Sequence, residues 1–156
     1  MPKLSAGIIA YRKNNDKLEV LLVHPGGPFF AKKDIGVWSI PKGEYVDGED
    51  ALLAAKREFA EETGNTLPEG EFLPLKQIKI KSGKVISAWA VEADFVQPFV
   101  ESNFFEMEWP PRSGKKQLFP ETDRAEWFTA GEAKKKITSG QISLLEQLEI
   151  IIKPNP

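Results

Sequence analysis

Residues Trp38–Asn65 read WSIPKGEYVDGEDALLAAKREFAEETGN, and the spacing inside this stretch decides how the whole chain is read. Its second half predicts a helix. Glu58, Glu61 and Glu62 stand at i, i+3 and i+4, so their side chains share one helical face. Like charges at this spacing destabilise an isolated helix by roughly 0.2–0.5 kcal/mol per pair, so the cluster calls for a positive counterpart. A divalent cation such as Mg²⁺ is the simplest one, because it takes oxygen ligands and commonly shares them with a substrate's phosphates. Leu52, Ala55 and Phe59 form a stripe suited to the core. Ala51 and Ala54 fall on or near the carboxylate face and would leave room above it. Glu49 and Asp50 suit the positive end of the helix dipole. An Arg57 fork between neighbouring acids would fix the angle of one of them. Gly64 is placed to be a left-handed C-terminal cap.

An E-x-x-E-E face alone is ordinary surface charge. Here it comes with a glycine, an upstream glutamate and an arginine at fixed distances. Gly43, Glu49, Arg57, Glu58, Phe59, Glu61, Glu62 and Gly64 match, in order and spacing, the pattern G-x5-E-x7-R-E-U-x-E-E-x-G-U, where U is bulky and apolar. In this the chain resembles the Nudix hydrolases. The last position departs from the pattern, since Asn65 stands where an aliphatic residue is usual. The departure is expected to affect packing of the loop after the helix and not the chemistry.

The rest of the composition narrows the classes. At 156 residues the chain is read as one domain over 1–156, long enough to bury a core without staples. A net charge of −2 and a pI near 5.6 give no overall electrostatic case for nucleic acid. The absence of Cys excludes disulfides, thiolate metal sites and cysteine nucleophiles, and the one histidine, His24, is too few for a histidine-based zinc site. At a strand end, His24 is read as structural. No segment reads as a signal peptide, and no apolar run reaches the roughly 18 residues of a membrane helix, so a soluble cytoplasmic protein is expected.

Along the chain, Leu4–Arg12 and Lys17–His24 predict two strands paired as a hairpin around Asn14-Asn15-Asp16. A loop opens at Pro25 and runs to Gly36. Val37–Ile40 predicts a short strand and Pro41–Glu44 a turn. After the helix, Glu71–Lys81 and Lys84–Phe95 predict two strands joined by Ser82-Gly83. Ser102–Trp109 alternates as a strand, Arg112–Lys116 lies in a basic loop, and Ala125–Phe128 is a final short strand. Thr129 with Glu132, and Ser143 with Glu146, predict capping boxes for two C-terminal helices. A mixed sheet flanked by helices follows, consistent with the α/β/α sandwich, of α/β (α+β) class, that the resemblance implies.

The resemblance also assigns roles. Glu58, Glu61 and Glu62 would bind Mg²⁺ or Mn²⁺, with the backbone carbonyl of Lys42 as a further ligand. The cation would neutralise a diphosphate and lower the pKa of an attacking water. Either Glu61 or Glu121 would act as general base, with Glu106 and Glu108 in reserve for the position of Glu121. Arg57 would hold a carboxylate without touching substrate. The Lys42 side chain and Arg112 are candidates for phosphate, and Trp89 for stacking on a base, although a tryptophan on a sheet is more often core. The implied partner is a nucleoside diphosphate-linked small molecule. An RNA 5′ end is the less favoured alternative, with a non-catalytic nucleotide sensor a third reading and self-association left open. Tyr occurs only at Tyr11 and Tyr45, so the tyrosine that Nudix diadenosine polyphosphate hydrolases tend to carry beyond the box is missing.

Overall fold

The computed structural model describes residues 2–152. Its centre is β1 (Leu4–Asn14), which pairs with β2 (Lys17–Pro25) as the expected hairpin, Tyr11 opposite Val20 and Asn14 opposite Lys17. Asn15 and Asp16 make the turn at φ 51 and 64, a left-handed conformation that these two residue types tolerate. The other end of β1 pairs antiparallel with β3 (Lys42–Tyr45), and its opposite edge runs parallel to β6 (Val85–Glu92). β9 (Thr122–Thr129) extends the sheet beyond β2, while β4 (Leu73–Pro74) and β5 (Ile78–Lys79) pair with β6. The result is a mixed seven-stranded sheet. β7 (Phe104–Glu108) and β8 (Lys116–Pro120) form a separate two-stranded ribbon.

Alternation along β1 builds two cores. Ile9 and Tyr11 face Trp38, Ile86, Ala88 and the buried Leu144, Leu145 and Leu148 of α3 (Ile142–Ile151). Ala133 of α2 (Ala130–Lys136) completes that side. Ala6, Ile8 and Ala10 face Ala54, Ala55 and Phe59 of α1 (Ala51–Thr63). One helix therefore covers one face and two cover the other, the α/β/α sandwich.

Local signals explain where α1 begins and ends. The Asp50 side chain accepts a hydrogen bond from the Leu53 N–H at 3.0 Å, and Gly64 closes the helix at φ 76. Asn65 donates to the carbonyls of Gln97 and Pro98, both at 3.0 Å, so the atypical residue at the end of the box ties down a loop.

Several expectations need correcting. Residues 41–44 are not a turn, because Lys42–Tyr45 hydrogen-bonds to β1 as a strand. Val37–Ile40 forms only isolated bridges, at Trp38 and Ser39. Ala54 is fully buried in the core and so opens no space above the carboxylates. The expected strand over 71–81 is broken into β4 and β5. The basic loop is the tip of the β7–β8 ribbon, and β8 is a strand that the residue pattern does not announce. Ser143 does not cap α3, which is entered through a 3-10 turn at Ser139–Gln141.

Phe59 is fully buried where α1 meets the sheet. Phe59→Ala should lower unfolding stability by about 3–5 kcal/mol, read from urea denaturation. A loss below about 1 kcal/mol would mean that α1 is not anchored through this ring.

Candidate functional site

The sheet edge at β3 and the exposed side of α1 enclose a cleft of about 350 Å³, lined by Ser5, Lys42, Gly43, Glu44, Glu58, Glu62, Lys84 and Glu121. Two parts of the chain supply its acidic centre. Glu58 and Glu62 come from successive turns of α1, and Glu121 from the link between β8 and β9. Gly43 makes the close approach possible: a Cβ there would stand 2.1 Å from the Glu58 carboxyl carbon. Any larger residue would turn the Glu58 carboxylate out of this position.

Arg57 organises the outer side of the helix. It is hydrogen-bonded to Glu49, and it lies 3.5 Å from Glu58 Oε1 and 3.8 Å from Glu61 Oε1. Glu61 is thus turned toward the guanidinium and is absent from the cleft lining. Glu62 accepts from the Lys42 backbone N–H at 3.3 Å. Glu121 is held through its backbone, whose N–H donates to the Asn103 carbonyl and whose carbonyl accepts from the Gly26 N–H.

The electrostatics follow from this crowding. Burial first, and then the charge of Glu58, push the Glu62 carboxyl up to about 8, against weaker help from Lys42. Burial and Glu61 push Glu58 upward as well, opposed by Arg57. Burial pushes the Lys42 ammonium down, assisted by Lys84. Among the described residues, no three acids are drawn closely enough together to enclose an ion as they stand. Like charges repel, so a wide spacing is the arrangement expected of carboxylates facing one another. The donors fit a hard divalent cation in kind: Glu58, Glu62 and Glu121 offer only oxygen, and their mutual repulsion is what such a charge would relieve.

The remaining candidates lie elsewhere. Trp89 is partly buried against the α1-side core, and Arg112 sits exposed at φ 62 in the tip of the β7–β8 ribbon. Neither lines the cleft. His24 is buried, its Nδ1 2.7 Å from Asp123 Oδ1 and its Nε2 2.6 Å from the Lys33 carbonyl, which is a structural position. Lys84, Glu44 and Ser5 line the cleft although no motif marks them. They carry no local spacing signal, because sheet pairing alone brings them there.

A family model described as the NUDIX domain matches residues 1–148. The chain belongs to the Nudix family. Nudix hydrolase 7 of Arabidopsis thaliana is 38% identical over 74 residues, which is 47% of this chain and 25% of that protein, so the match takes in about a quarter of the relative's length. Among solved structures, the binary complex of the C. elegans Ap4A hydrolase superposes with a TM-score of 0.64 at 24% identity, covering 94% of this chain and 96% of that one. The NUDIX domain of Shewanella oneidensis NrtR, complexed with ADP ribose, gives 0.64 at 17% identity, covering 98% and 90%. These two likenesses establish the Nudix fold. No helix among the described residues is long and apolar enough to cross a membrane.

Glu62 yields a pH prediction for the metal-free protein. Its folded value of about 8 lies above the ordinary 4.5, so between these limits the unfolded chain releases a proton that the folded chain keeps. This group's contribution to stability therefore falls as pH rises through that window. Glu62→Gln should flatten the fall and raise the melting temperature of the metal-free protein at pH ~8. An unchanged slope in thermal melts would refute the assignment.

Proposed function

We propose that this Nudix chain is a metal-dependent hydrolase that cleaves a phosphoanhydride bond in a nucleoside diphosphate-linked compound, with nucleoside triphosphates and dinucleoside polyphosphates as the substrate class. One observation carries the reading: Glu58, Glu62 and Glu121, from separate parts of the sequence, meet in one cleft beside Lys42 and Lys84. Glu58 and Glu62, with Glu61 and the Lys42 carbonyl from the family pattern, would hold Mg²⁺ or Mn²⁺. Bound there, the cation would offset phosphate charge and lower the pKa of a water molecule.

The chain's own groups do the rest. Lys42 and Lys84 attract and orient the phosphates as compact charges. Glu121, exposed at the cleft and in no ion pair among the described residues, takes the proton of the attacking water. Glu61, turned toward Arg57, is the less suited base, and Arg57 fixes the angle of Glu58. The Ap4A hydrolase likeness and the ADP-ribose complex of the NrtR domain support a nucleoside diphosphate-linked ligand, with a sensor that binds without cleaving as the second reading. The complete set of box acids favours cleavage.

Purified protein with Mg²⁺ or Mn²⁺ should release phosphate or pyrophosphate from one member of a panel holding nucleoside triphosphates, dinucleoside polyphosphates, ADP-ribose, NADH and triphosphorylated RNA. Glu58→Gln should lower that turnover by at least about 100-fold with the fold intact. Binding of metal and nucleotide without any cleavage would instead establish the sensor.

A further inference from the structure

Lys84 belongs to two hollows at once. It lines the glutamate cleft, and it also lines a neighbouring basin of about 620 Å³ with Pro2, Lys3, Lys79, Ser82 and Gly83. Sheet pairing creates the basin. The Val85 N–H donates to the Lys3 carbonyl at 2.9 Å, and Lys79 stands opposite Val85 in the β5–β6 pair, so one lysine from the start of the chain and two from the β5–β6 hairpin line one basin. This concentration is local, since the chain as a whole carries a net charge of −2.

The charges are unevenly matched. Lys84 reaches Glu44 at 3.1 Å, whereas Lys3 and Lys79 take part in no ion pair among the described residues. Unpaired ammonium groups in a hollow that adjoins the cleft are what a chain of phosphates would satisfy.

We propose that Lys3, Lys79 and Lys84 form an anion subsite for the end of the substrate's phosphate chain remote from the glutamates, so that compounds with a long unbranched polyphosphate are the preferred substrates. This rests on the proposed function, which it narrows. A short diphosphate fills the cleft alone, whereas a longer chain crosses Lys84 into the basin and meets two further positive charges.

Calorimetric titration with inorganic tripolyphosphate and pyrophosphate, in Mg²⁺, tests the subsite without requiring turnover. The Lys3→Gln/Lys79→Gln double variant should weaken tripolyphosphate on the order of tenfold and pyrophosphate much less, while Lys17→Gln, outside both hollows, should change neither beyond about twofold. The tripolyphosphate affinity should also fall with added salt. Equal affinities in the parent and the double variant would overturn the subsite even if nucleotides are hydrolysed. Loss of tripolyphosphate binding in a protein that hydrolyses no nucleotide would uphold the subsite and remove the enzymatic reading. Salt-sensitive binding of RNA lacking a terminal polyphosphate, lost in the double variant, would reassign the basin to a nucleic-acid backbone and overturn the proposal.

Discussion

The contact between Gly43 and the Glu58 carboxylate is the constraint on which the site depends. A side chain there would claim the space that the Glu58 carboxyl fills, since a Cβ would stand 2.1 Å from its carbon. With glycine, the carboxylate rests against β3, and Glu58 and Glu62 are partly withdrawn from water. Burial and mutual repulsion then hold a proton on Glu62 to unusually high pH. Uncompensated carboxylates are costly to keep, and the rest of the fold holds the helix that carries them: Phe59 anchors it beneath, and Arg57 braces it from outside.

The same geometry explains why positive charge surrounds the cleft without entering its centre. Lys42 lines it from β3 and Lys84 from the residue before β6, but Lys42 donates to Glu62 through its backbone. Glu44 engages Lys84.

Much of this is legible in residues 38–65. The helix, its left-handed glycine end and the clustering of the box acids follow from spacing, and the alternation in β1 and β2 yields a hairpin with the right turn. What spacing cannot give is pairing at a distance. Residues 41–44 read as a turn because Pro and Gly punctuate them, yet β1 offers a free edge and draws them into a strand. Ala54 reads as clearance above the acids, but its small side chain instead lets the helix approach the sheet. Lys84 escapes the sequence for a similar reason: nothing in Lys81–Lys84 marks it until the start of β6 sets it within reach of Glu44 on β3. Glu121, by contrast, is singled out by the family resemblance and not by any spacing of its own, and it lines the cleft.

The most direct test of the account is anomalous diffraction from crystals of the protein soaked in Mn²⁺. The account predicts a peak within about 2.0–2.6 Å of carboxylate oxygens of Glu58 and Glu62, lost in crystals of Glu58→Gln. Mn²⁺ bound reproducibly elsewhere, with the cleft between α1 and β3 lacking any peak, would contradict it.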